Sequence, residues 1–154
     1  MSSRSVGKRT AESLVERGFC SREELEGCTE GDLRSLEREY GVTLPAAYES
    51  CIRHVGRNPG RFLEGSHFTY PEVTRQTEFA RERASAGARS ELPDDAFVFH
   101  GLQGYTFDYF ETDAGEDPPV YVFTKFDTEY ESRRETDSFS EWLFSEIERQ
   151  ATRL

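Results

Sequence analysis

The spacing of apolar side chains changes once along this chain, and that change restricts the fold more than any other feature. In Thr29 to Tyr40, Leu33, Leu36 and Tyr40 recur at intervals of three and four, with Gly41 as the stop, which is the pattern of an amphipathic helix. Pro45 then stands at a first-turn position, followed by Tyr48, Cys51, Ile52 and Val55 at i, i+3, i+4 and i+7 and by a stop at Gly56, a second helix. From Ala96 the texture changes from helical stripes to short runs, of which Tyr105–Phe110 alternates. Ala96–His100, Tyr105–Phe110 and Val120–Thr124 are short, aromatic and β-branched, and predict sequential antiparallel strands. A polar stretch from Thr128 to Arg133 completes them as an edge strand, where charge blunts pairing with another sheet. At the end Ser138 and Glu141 form a capping-box signature, with Phe139, Trp142, Leu143 and Ile147 on one helical face. Helices, then a meander, then a closing helix give an α+β fold.

The remaining segments add helices without changing the class. Residues 1–9 read as a frayed tail, Gly18 and Gly27 as stops around a Ser21/Glu24 start, and Pro71 to Ala86 as a polar helix after a Gly/Pro/Asn loop. Residues 1–28 are assigned to an N-terminal tail and short helical extension, and residues 29–154 to the single domain. Its core depends on aromatics: one Trp, seven Tyr and twelve Phe in 154 residues supply large buried area from few positions. No apolar run approaches the ~20 residues of a membrane-spanning helix, and no apolar segment follows the basic N-terminus as in a secretory signal. A cytoplasmic protein is expected. Cys20, Cys28 and Cys51 are an odd set without Cys-x-x-Cys spacing, and read as reduced, partly buried thiols.

Charge is distributed unevenly. The net value is −11, yet Glu91 to Glu148 holds sixteen carboxylates against Lys125, Arg133 and Arg134 alone, while Arg53 to Arg89 holds seven Arg against four Glu. The C-terminal half should repel nucleic acid, whose binding depends on cations that neutralise phosphates. A basic protein is the expected partner for it.

His100 to Asp113 concentrates a His, two glycines, aromatics and acids. Gly101-Leu102-Gln103-Gly104 reads as the connection of a β-hairpin, so the glycines serve a turn; a phosphate cradle would need the loop to run into a helix. His100 has no nucleophile at a local spacing, and Cys51 with His54 share a helix face without a third ligand. Carboxylate pairs such as Asp94/Asp95 and Glu111/Asp113 read as solvated turn residues. No catalytic residue, metal ligand or cofactor site is therefore assigned. The candidate partner-binding residues are Tyr105, Asp108, Tyr109, Glu111, Asp113, Glu116, Asp117 and Tyr130, aromatic anchors beside acids.

"LEREYGVTLPAAY", "GRFLEGSHFTYPEV", "QGYTFDYFETD", "DPPVYVF" and "DSFSEWLFSEI" resemble, in order and approximate spacing, motifs of the SUKH superfamily of Smi/Knr-like proteins. The resemblance covers about residues 29 to 150. Leu36, Gly41, Leu44, Pro45 and Tyr48 match its helix-loop-helix; Gln103, Gly104, Tyr105, Phe107 and Phe110 its hairpin; Pro118, Pro119, Val120 and Tyr121 the next strand; Phe139, Glu141 and Leu143 the closing helix. In the bacterial pattern a His directly precedes the Gln-Gly; here Leu102 stands there and His100 lies two residues earlier. The resemblance implies a twisted antiparallel sheet of about four or more strands, flanked by N-terminal helices and a C-terminal helix. It implies a non-enzymatic binding module, monomeric or weakly dimeric, of the kind that neutralises polymorphic or contact-dependent toxin domains, often nucleases. The alternative it carries is a regulatory scaffold for a housekeeping partner.

Overall fold

The computed structural model describes residues 2–154. Among them are helices α1 (Val6–Glu16), α2 (Glu30–Tyr40), α3 (Ala46–Val55) and α4 (Gln76–Ser85), strands β1 (Ala96–Leu102), β2 (Thr106–Glu111), β3 (Val120–Phe126) and β4 (Glu129–Thr136), and a closing helix α5 (Phe139–Ala151). Short 3-10 turns precede α1 and α4, and another spans Arg22–Glu24. The strands form one antiparallel sheet in the order β1-β2-β3-β4.

Local sequence explains the element ends. Thr29 and Asp32 cap α2 reciprocally, side chain to backbone at 3.1 and 2.9 Å, and Gly41 ends it in the left-handed conformation at φ 62°. Ser138 caps α5 through the Glu141 amide, but Glu141 reaches back to the Asp137 amide rather than to that of Ser138. The free first turn of α5 is bound instead by Asp117, whose carboxylate accepts from the Ser140 amide and hydroxyl at 2.9 and 2.6 Å. This fixes the β2–β3 connection to the helix.

The sheet is covered on both faces. On one, α1, α3 and α5 enclose Phe97, Phe99, Phe110, Val120 and Trp142. Tyr48, fully buried at the centre, meets the rings of Phe97, Phe99, Phe110 and Phe139. On the other face α4 and the following loop cover Val98, Phe107, Tyr109, Phe123 and Tyr130. The edges are also blunted: Arg89 and Ser90 hydrogen-bond along β4, and His67 bridges to Gly101 of β1.

Three local expectations change. Residues 3–9 are helical rather than frayed, opening a helix that runs to Glu16, and Val6 and Leu14 enter the core, because α1 docks on α3 where Gly7 permits close approach to Ser50. The hairpin turn is Gln103-Gly104-Tyr105, since Leu102 already pairs with Thr106. Gly104 takes the positive φ (77°), whereas Gly101 lies within β1 and makes room for the Gln76 side chain, which a Cβ would overlap.

Candidate functional site

Two β-bulges build the most unusual cluster of the molecule. Register shifts between Val98 and His100 in β1, and opposite Val120 and Tyr121 in β4, leave Phe99 and Glu135 as the extra residues. A bulge turns two successive side chains to one face and re-aims the strand. Phe99 and His100 therefore both face α5, with ring centroids 4.8 and 5.6 Å from Trp142. His100 and Asp108 become cross-strand partners. Glu135 reaches the same face and hydrogen-bonds to Asp108.

The result is a chain of polar groups from β4 to a surface cleft: Glu135, Asp108, His100, Ser66. Asp108 Oδ2 lies 2.7 Å from His100 Nδ1, and His100 Nε2 lies 2.8 Å from Ser66 Oγ. Ser66 Oγ is also 2.7 Å from the Leu63 carbonyl oxygen. The cleft, of about 360 Å³, is lined by Arg61, Leu63, Ser66, His100, Arg149 and Arg153, with Glu146 beside Arg149.

Electrostatics decide what this chain can do. An exposed ion pair would raise the imidazole and lower the carboxyl, but here burial acts the other way. It pushes His100 down to about 4, and it pushes Asp108 up to about 6. Glu135 is raised as well, first by loss of water around its carboxyl and then by hydrogen bonding with, and like charge from, Asp108. Glu135 is exposed as a residue, so solvent moderates the size of that shift and leaves its direction. The Trp142 indole N–H, buried without a well-formed hydrogen bond, favours the charged form of Glu135.

The order Ser, His, Asp is that of an acyl-transfer triad. A general base serves best with a pKa near the working pH, and the imidazolium through which such a step passes is the form that burial disfavours here. The Ser66 hydroxyl is moreover shared with Leu63.

Residues 27–145, more than half of the chain, match the model of the SMI1 / KNR4 family (SUKH-1). The chain belongs to that family. Among curated proteins none matches it. In this SUKH-1 protein α1 precedes the matched span, yet it contributes Val6 and Leu14 to the core.

The sequence-predicted partner residues fall into three groups. Asp108, Tyr109 and Tyr130 are buried, at 6, 3 and 8% exposure, so no partner reaches them in this fold: Asp108 is turned inward by the hairpin register, and Tyr109 and Tyr130 sit beneath α4 and its loop. Glu111, Asp113, Glu116 and Asp117 cluster at one end of the sheet, where β2 ends and β3 begins. Tyr105, 47% exposed, stands at the opposite end, roughly 20 Å away at the usual strand rise. The expected juxtaposition of that aromatic with those acids is not formed.

Cys51 is fully buried in the core, and burial pushes its thiol up to about 12. His54 Nδ1 lies 3.1 Å from the Ser50 carbonyl. The pair builds no shared site, and among the described residues no group of three His, Cys, Asp or Glu side chains is placed to hold a metal. Among the same residues no helix is long and apolar enough to cross a membrane. The arginines of the basic middle segment are partly neutralised: Arg57 grips Asp32 through two bonds of 2.7 and 2.8 Å, and Arg53 binds Glu30 and Glu49.

Proposed function

We propose that this SUKH-1 protein is a non-enzymatic binding module that neutralises a cognate toxin domain in the cytoplasm. The supporting observation is the acidic end of the sheet. Asp95, Glu111 and Asp113 meet there, the Asp113 amide donating to the Asp95 carboxylate at 3.2 Å, with Asp94 and Glu116 close by in sequence; no Lys or Arg occurs between Glu91 and Lys125 along the chain, and Arg81 reaches this end through the Asp94 carbonyl. The Asp113 carboxyl is raised by its contact with Asp95, and Glu111 by partial burial and then by both neighbours; the group is electrostatically frustrated on its own. A basic surface relieves that frustration, and complementary charge accelerates encounter and rejects wrong partners. The platform beneath is rigid, because Asp117 ties the loop to α5 and the Ala47 amide donates to the Glu116 carbonyl.

Co-expression with a toxin domain encoded near its gene tests the proposal. Cells carrying both should grow. Death of those cells, with the protein folded and expressed, would refute the immunity role.

A further inference from the structure

The hydroxyl of Ser66 has one hydrogen and two groups placed to receive it. The Leu63 carbonyl oxygen is 2.7 Å away and His100 Nε2 is 2.8 Å away. Which one receives it depends on the ring. If Nε2 carries a proton, it donates to Ser66 Oγ and the hydroxyl closes onto Leu63. If Nε2 is bare, it draws the hydroxyl hydrogen, and Leu63 keeps only the Ser66 amide at 3.1 Å. The state of Nε2 is set in turn at Nδ1, 2.7 Å from Asp108: a neutral imidazole has one N–H, so a protonated Asp108 that donates to Nδ1 leaves the hydrogen on Nε2, and an ionised Asp108 takes it to Nδ1.

We propose that Asp108, His100 and Ser66 form a proton-operated relay that sets whether the 63–66 turn beside the cleft carries or lacks its Ser66–Leu63 side-chain bond. With a proton on Asp108 the relay runs Asp108 to His100 to Ser66 to Leu63, every hydrogen pointing toward the cleft. Loss of that proton reverses the ring tautomer and the hydroxyl, and removes the side-chain bond within the turn. The turn is poised for this. Leu63 is held at φ 58°; its side chain lies in the core, its amide donates to Gln150 of α5 at 3.0 Å, and its carbonyl accepts the Ser66 amide, so the hydroxyl bond is the part of this anchoring that the relay changes. Leu63 and Arg61 both line the cleft, so the relay reaches whatever the cleft receives.

The charged groups around the relay come from every element that packs on it. β4 supplies Glu135, hydrogen-bonded to Asp108; α5 supplies Glu146 and Arg149, which are paired with each other at 2.6 Å; the loop supplies Arg61 and Glu64, and the chain beyond α5 supplies Arg153. Because burial lowers the imidazole, the ring stays neutral while Asp108 titrates, and the switch point falls where Asp108 is poised, near pH 6.

Nitrogen-15 NMR of the His100 ring between pH 5 and 8 reads the relay directly. The N–H should move from Nε2 to Nδ1 with a midpoint near pH 6, and the Gly65 and Ser66 amide resonances should titrate with the same midpoint. In Ser66→Ala the ring should still change tautomer while those loop amides no longer follow; in Asp108→Asn the ring transition itself should disappear. A single tautomer across the range, or loop amides that titrate equally in Ser66→Ala, would overturn the proposal. Ser66 is only partly buried, so its truncation leaves a folded protein for the comparison, and far-ultraviolet circular dichroism confirms that state.

Discussion

At the residue scale the aromatic core and one partly buried ion pair make the clearest commitments. Trp142, 2% exposed and packed on Phe99 and His100, should cost about 3–5 kcal/mol when replaced by Ala. A loss under about 1 kcal/mol in denaturant titration would contradict the docking of α5 on the sheet. Asp32 is held down to about 2, first by its hydrogen bonds from Arg57, against burial that acts upward. A depressed carboxyl contributes stability above its ordinary value near 3.8 and loses it as pH falls through about 2. Asp32→Asn should therefore be less stable than the parent at pH 7, and the difference should shrink between pH 4 and pH 2; a constant gap over that range would contradict the ion pair. The thiols give a third test. Cys28 and Cys51 are buried and pushed up to about 12, so a thiol reagent should modify Cys20 alone in the native protein and all three cysteines after unfolding. None of the relay was legible as a site. Ser66, His100, Asp108 and Glu135 lie in four segments, and only His100 and Asp108 carry a local signal: they are equidistant from Gly104, which pairs them once the turn is placed there.

Among the elements, those with dense apolar stripes were readable and those stabilised by close backbone contact were not. α2, α3 and α5 follow from Leu33/Leu36, Tyr48/Cys51/Ile52/Val55 and Phe139/Trp142/Leu143/Ile147, β1 and β3 from their apolar, aromatic and β-branched runs, β2 from its alternation and β4 from its charge as an edge. α1 was missed over residues 6–9 because its buried stripe includes Gly7, Thr10 and Ala11, residues that pack by being small. The bulges at Phe99 and Glu135 were also unreadable, since a one-residue insertion leaves composition unchanged and only the facing strand reveals it. The same point makes Gly27 informative. A Cβ there would overlap the Arg53 carbonyl at the last turn of α3, so Gly27→Ala should lose about 1–3 kcal/mol as the two segments separate. Parent-like thermal stability would show that the segment before α2 does not bear on α3.

For the whole molecule, the fold acts as a platform with two chemically different regions: an acidic end built by the β2–β3 connection, and a cleft on the α5 side whose arginines face a buried proton-sharing chain. The candidate docking residues read from the sequence fall at both ends of the sheet, because linear proximity of Tyr105 and Glu111 conceals the length of β2 between them. The central claim is that the acidic end captures a basic partner. It is tested most directly by binding kinetics of the purified protein with a basic toxin domain encoded near its gene, comparing the parent with Glu111→Lys/Asp113→Lys/Glu116→Lys at low and physiological salt. The account predicts tight binding whose association rate falls as salt rises, and a loss of about tenfold or more in that rate for the folded triple variant. A triple variant that associates as fast as the parent at every salt concentration would contradict it.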